Sequence, residues 1–209
     1  MDSNVLGPLA DITVIMQAMF LLTRPDKQKI EKFVNSQRDK PFSYPEVGAS
    51  MGAAPAGYNV DHNRVKLGNG QETFREAITS LNNWKMFEMN WIELFPARAP
   101  IQVGVTVGVL IRHLGFWSLN ASRIVYTIDE SETVKRYGFA YGTLPGHAEQ
   151  GEERFTVEYY RESKNVWYDL YAFSKPRHIL AKAGYPISRL LQQRFAKASL
   201  KAMKDSVKA

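Results

Sequence analysis

Apolar side chains at Ile101, Val103, Val105, Val107, Val109 and Ile111 alternate with Gln102, Gly104, Thr106, Gly108, Leu110 and Arg112. A period of two is the signature of a strand that buries one face, and no helix produces it. Four more segments follow with strand character, 122–128, 136–144, 153–161 and 166–173. Short turns containing Gly, Asn or acidic residues separate most of them, so consecutive strands are expected to pair antiparallel. Such a block has an apolar face that must be covered, and the chain on either side of it supplies helices.

Pro25 and Asp26 form a helix start, and the helix is expected to run to about Ser36 with Ile30, Phe33 and Val34 on its apolar face. Residues 41–70 read as a loop-rich stretch, because prolines and glycines interrupt it repeatedly. A second helix begins near Gln71, where Phe74, Ala77, Ile78, Leu81 and Trp84 recur at helical spacing. After the strands, Ser174-Lys175-Pro176 opens a helix that stops at Gly184. Pro186 starts the last one, with Ile187, Leu190, Leu191, Phe195, Ala198 and Ala202 on one face. The order is that of an α+β fold in which one curved antiparallel sheet wraps around a long C-terminal helix. A curved sheet and a straight helix leave space between them, so a hydrophobic cavity is an expected product.

The 209 residues suit a single domain, 1–209, large enough to bury a core without a covalent staple. Cysteine is absent, which excludes disulfides, thiolate metal sites and thiol nucleophiles. The apolar run Leu9–Leu22 is broken by Asp11, Thr13 and Gln17, and no Lys or Arg precedes Arg24. It is therefore read neither as a spanning helix, which needs about 20 apolar residues, nor as a cleaved signal, and the expected location is cytoplasmic. The formal charge of +6 is uneven: residues 175–209 hold nine Lys or Arg against the single acid Asp205. Lys197, Lys201, Lys204 and Lys208 share a helix face opposite the apolar stripe, as a solvated amphipathic helix predicts. Contact of that face with an anionic surface is the alternative partner reading. No aromatic interleaving or reading motif points to specific nucleic acid.

Several motifs carry a resemblance that runs from about residue 18 to 204. They are Tyr44-Pro45-Glu46-Val47-Gly48-Ala49, Pro55-Ala56-Gly57-Tyr58, Leu67-Gly68-Asn69-Gly70, Trp84-Lys85-Met86-Phe87 and Gly138-Phe139-Ala140-Tyr141-Gly142-Thr143-Leu144-Pro145-Gly146-His147. Gly151-Glu152-Glu153-Arg154-Phe155, Ala172-Phe173-Ser174-Lys175-Pro176 and Gln192-Gln193-Arg194-Phe195 continue it in order. They resemble a bacterial and plant domain-of-unknown-function family that includes a plant chloroplast outer-envelope protein described as a channel. Ser50 stands where that family more often has Thr. The resemblance implies the Bet v 1 and START-like helix-grip fold and a cavity, and it brings no catalytic residues with it.

Candidate site residues come from the residues themselves. The segment 142–153 joins two strands and carries Gly142, Gly146, Gly151, His147 and the acids Glu149, Glu152 and Glu153. Glycines admit close approach of a ligand and His beside Glu moves protons; the plainer reading is a long turn that His147 caps. Glu153, Phe155, Val157 and Tyr159 share one strand face, so Glu153 lies either at the cavity mouth, with a raised pKa, or at the strand end in water or paired with an Arg. Tyr137, Phe139 and Tyr141 are bulky on one side of their strand, while Gly138, Ala140 and Gly142 are small on the other, through curvature or room for a ligand. Tyr44, Glu46 and Tyr58 serve either as a lid or as packing under a long loop. Asp169 is expected outward and solvated; His62 and His113 show no partner pattern, and His178 is read as structural.

Tyr44, Glu46, Tyr58, Tyr141, His147, Glu153 and Phe155 are therefore the candidate ligand-binding residues. No metal site and no cofactor are expected. The reading that leads is a module for a small hydrophobic or amphipathic ligand. The alternatives are a cyclase- or hydratase-like enzyme using His147 or Glu153, and a membrane-associated or channel-like protein. The strands are few and flanked by amphipathic helices, unlike the closed strand succession of a membrane barrel.

Overall fold

Asp26 caps the first helix by accepting a hydrogen bond from the Lys29 amide at 2.8 Å, and α1 spans Lys27–Gln37. Its Ile30, Phe33 and Val34 are buried as expected, each contributing up to about 1.5–3 kcal/mol. The computed structural model describes residues 20–176 and 185–207, with the side chains of 185–188 outside that description. Ser174-Lys175-Pro176, expected to open a helix, are instead the end of a strand; the rest of that helix to Gly184, His178 and Lys208 fall outside the described residues, as do the Ile187 side chain and most of the Leu9–Leu22 run.

The strands are β1 (Phe20–Leu21), β2 (Asn59–Asn69), β3 (Ile92–Phe95), β4 (Thr106–Arg112), β5 (Trp117–Ser131), β6 (Val134–Thr143), β7 (Glu149–Tyr160) and β8 (Asn165–Pro176). Among the described residues they form one antiparallel sheet in the order β2-β8-β7-β6-β5-β4-β3, with β1 paired to β5. The two further helices are α2 (Gly70–Asn82) and α3 (Tyr185–Ser206). α2 and α3 cover one face, where Phe74, Leu81, Phe87, Phe139, Phe155, Tyr168 and Met203 make the larger core. α1 covers part of the other face and forms a smaller core with Leu110, Leu119, Ala121 and Leu144.

Four further expectations are corrected. The second half of the loop-rich segment is β2, paired with β8 from Asn59↔Ser174 to Asn69↔Asn165. Its inward positions begin with Asn59, Asp61 and Asn63 and its outward ones with the exposed Val60, so the apolar alternation that marks a strand is inverted there. The strand expected over 101–111 starts only at Thr106. Gly104 takes φ +88° in a turn, a backbone conformation that favours glycine, and leaves Val103 exposed, while Ile101 and Val105 still pack on the core. Asp169 is buried rather than solvated, held by His62 Nε2 at 2.7 Å, Arg64 Nε at 3.0 Å and Arg154 at 3.3 Å. These ion pairs, with Arg64 and Arg136 on Glu158, cover the outer side of β2, β7 and β8.

The fourth correction concerns the C-terminal helix. Its buried positions among the described side chains are Ala196, Ser199 and Met203, with Val207 buried just beyond its end, whereas Leu190 is exposed. Small residues let α3 approach the sheet, and Ser199 Oγ hydrogen-bonds the Tyr168 hydroxyl at 3.0 Å. Lys197, Lys201 and Lys204 point to solvent, Lys201 against Asp205.

Candidate functional site

β7 places neighbouring carboxylates on opposite faces, and the two have different fates. Glu152 points to the outer side, into the loop that precedes β2. There it accepts from the Tyr44 hydroxyl at 2.6 Å, the amides of Gly48 at 2.8 Å and Ser50 at 3.0 Å, and the Ser50 hydroxyl. Ser50 Oγ also meets the Tyr126 hydroxyl at 2.6 Å, and Arg154 donates to the Ser50 carbonyl at 2.7 Å. Four donors on one buried carboxylate pin the 44–50 loop to the sheet. Tyr44 then lies over Gly142, where a Cβ would sit inside van der Waals contact with its hydroxyl. The small side of β6 is thus filled by Tyr44 and Phe42.

Tyr58 joins the same layer: it donates to Glu46 at 2.6 Å and packs edge-on against Phe173, which Tyr44 also contacts. That hydrogen bond holds the Glu46 carboxyl below its usual range. Lys175 sits 4.0 Å above the Tyr58 ring. Tyr44, Glu46 and Tyr58 therefore pack the outer side of the sheet and do not line the space under α3.

Glu153 turns the other way, into a cavity of about 490 Å³ between the sheet and α3. Phe87, Trp91, Ile111, Phe116, Tyr141, Leu170 and Phe195 give it an apolar, largely aromatic wall. The Tyr141 hydroxyl donates to Glu153 Oε2 at 2.7 Å. Enclosure by protein pushes the Glu153 carboxyl up to about 7, Tyr141 opposing the rise and the nearby Asp61 charge adding to it. Burial and the same carboxylate drive the Tyr141 hydroxyl well above its ordinary value, so it stays protonated and donates. Phe155, one pair further along β7, is fully buried against Phe139, Tyr141 and Phe87; it is core behind the cavity and not part of its lining.

His147 lines the cavity from the β6–β7 turn. Its amide closes the turn on the Leu144 carbonyl at 2.9 Å and its Nδ1 lies 3.0 Å from the Glu149 amide, while Gln37 of α1 accepts from Gly146 at 3.0 Å. The His147 ring is thus engaged by its own turn at the place where it faces the cavity.

Sequence reasoning missed half of the polar wall. Asp61 and Asn63 come from β2, and Asp61 makes a two-pronged ion pair with Arg189 of α3 at 2.5 and 2.7 Å. Gln192, bonded to Arg189 at 2.6 Å, donates to Ser174 at 3.0 Å, so α3 is tied to both β2 and β8 above the cavity. On the far wall His113 Nε2 lies 2.8 Å from Ser118 Oγ and its ring stacks on Phe116. Asn120 donates to Ser118 at 3.1 Å and accepts from the Ala148 amide at 3.3 Å. Burial lowers the His113 pKa, which keeps the imidazole neutral. The available signal was a strand whose first three inward positions, Asn59, Asp61 and Asn63, are polar before Val65 and Leu67 turn to the core, a pattern that periodicity scores as loop. Among the described residues no group of three or more acids or histidines is placed to hold a metal ion.

A helix-grip α+β domain, its sheet and C-terminal helix enclosing a largely apolar cavity with one protonatable carboxyl on the wall, is the class these features define. The chain belongs to the family described as "Domain of unknown function (DUF1990)", whose model matches residues 43–202. It is 32% identical over 207 residues to a UPF0548 protein of Dictyostelium discoideum, covering 90% of this chain and 96% of that one. A UPF0548 protein of Deinococcus radiodurans is 36% identical over 193 residues, 86% and 94% of the two chains. Among solved structures, human STARD10 is similar with a TM-score of 0.37 and 13% identity, over 86% of this chain and 81% of that one. The element order is that of the expected α+β fold, one antiparallel sheet against a long C-terminal helix. No helix among the described residues is long and apolar enough to cross a membrane.

Proposed function

We propose that this protein binds a small hydrophobic or amphipathic molecule in the cavity between the sheet and α3. The supporting observation is the cavity itself: about 490 Å³, walled by aromatic and aliphatic side chains, with a few polar groups converging on it. Pockets of this size and make-up are those that bury most of a small ligand's surface. Residues whose side chains would meet the ligand are Tyr141, His147 and Glu153, together with Asp61, Asn63 and Phe195. Tyr44, Glu46, Tyr58 and Phe155 support the wall from behind.

The test is a titration with the neutral dye N-phenyl-1-naphthylamine, together with native mass spectrometry of freshly purified protein. Saturable uptake at one site, abolished by Ala172→Trp, is expected, since Ala172 lines the cavity and is not part of the core. Protein that takes up no dye and carries no co-purified small molecule defeats the reading.

Acid–base turnover at Glu153 is the second reading. One observation favours it: a carboxyl with a pKa of about 7, enclosed and oriented by Tyr141, is matched to proton transfer near neutral pH.

A further inference from the structure

The lining of the cavity is one-sided in charge. Asp61, Glu149, Glu152 and Glu153 belong to it, and none of its described residues is Lys or Arg. Glu152 spends its carboxylate on the outer loop, and Asp61 is matched by Arg189. Glu153 is different. Tyr141 occupies Oε2, and among the described residues no donor reaches Oε1 and no cation pairs with the group. The titratable groups near it are Tyr141 from β6, Asp61 from β2 and Tyr168 from β8, and Arg189 of α3 pairs with Asp61. His113, the imidazole on the far wall, is kept neutral by burial and adds no positive charge.

We propose that the cavity selects an amphipathic cation, an apolar body carrying one protonated nitrogen, with Glu153 as the counter-charge. The proposal rests on the ligand-binding reading above. The aromatic wall favours the same class, because rings such as Phe87 and Phe195 attract cations, while Trp91 already carries Arg194 over its ring and Phe116 is stacked on His113. A neutral alcohol would satisfy Oε1 with a single hydrogen bond. An ammonium group adds the charge, and a charge-assisted contact is roughly twice as strong as a neutral one. A bound cation would also favour the ionised form of Glu153, which among the described residues has the Tyr141 hydroxyl but no cation against it.

The experiment compares n-decylamine, n-decanol and decanoate, matched in their apolar chain, as competitors of N-phenyl-1-naphthylamine at pH 7.5 on protein stripped over a hydrophobic resin. Decylamine should displace the dye at about a tenfold lower concentration than decanol, and decanoate should be the weakest. In Glu153→Gln the amine should lose its advantage over the alcohol. That ratio is read within one variant, so a general loss of binding does not mimic it, and the wild-type comparison stands whether or not the variant folds. If the dye does not bind wild-type protein, the ligand-binding reading itself fails. If it binds and decanol or decanoate competes as well as decylamine, cation selection is overturned. An amine preference that survives in Glu153→Gln overturns the assignment to Glu153.

Discussion

Replacing Glu153 by Gln keeps an acceptor for the Tyr141 hydroxyl and removes the proton equilibrium. In the unfolded chain the Glu153 carboxyl titrates near 4.5, and in the folded protein it is pushed up to about 7 by enclosure. Between these values the unfolded chain has lost its proton while the folded protein keeps it, so the stability of the wild type falls as the pH rises and levels off above about 7. At about 1.4 kcal/mol for each tenfold in proton affinity the full loss is about 3 kcal/mol, and partial solvent exposure of the half-buried Glu153 side chain reduces it to about 2 kcal/mol. Glu153→Gln carries no such loss. The two proteins should therefore be about equally stable at pH 5, and the variant should be more stable by about 2 kcal/mol at pH 8. Urea denaturation at the two pH values reads this as a gap in midpoints of about 1 M that opens with pH. Curves for the two proteins that stay parallel from pH 5 to pH 8 would refute the reasoning, and a variant less stable at pH 8 would mean that a cation pairs with Glu153.

Three other substitutions test the framework around the cavity. Glu152→Ala strands the Tyr44 hydroxyl, two amides and the Ser50 hydroxyl, and should cost about 3–5 kcal/mol in chemical denaturation. It should also open the 42–58 segment to limited proteolysis; a variant as stable and resistant as wild type contradicts the described pinning. Gly142→Ala drives a methyl group into Tyr44 and should lower stability by about 1–3 kcal/mol, an effect that Tyr44→Ala in the same chain should not compound additively. Asp169→Ala leaves Arg64 and Arg154 without their shared carboxylate and should cost about 3 kcal/mol, with little change in dye uptake because Asp169 lies on the outer face. Loss of uptake at preserved stability would place Asp169 in the site.

Elements that bury an apolar face against a solid core were legible in the sequence. α1, α2 and the central parts of β5 to β8 lie where their periodicities put them, because burial of Phe74, Phe139, Phe155 or Leu170 is the force that sets those periods. The opposite facing of Glu152 and Glu153 was legible as well, since alternation in a strand is a property of the backbone. The strand segments that line the cavity were not. Asp61 and Asn63 in β2, and Ser118 and Asn120 in β5, point inward where an apolar residue is expected, and they do so because the space they face is open. A wall that presents polar groups to a cavity erases the pattern by which sequence reveals a strand.

What the chain determined by itself, then, is the order of α1, α2 and the strands β5 to β8, the antiparallel pairing they imply, and the face to which residues of those strands turn. Those follow from local backbone geometry and from the need to hide apolar surface. Only the tertiary structure decided that a loop would cap Glu152 with four donors, while α3 would leave Glu153 facing the cavity with Tyr141 as its one hydrogen-bond partner among the described residues. Both carboxylates are one residue apart in sequence. Their difference lies in what packs above each face of the sheet, and that is supplied by segments about 100 residues before and about 40 residues after them.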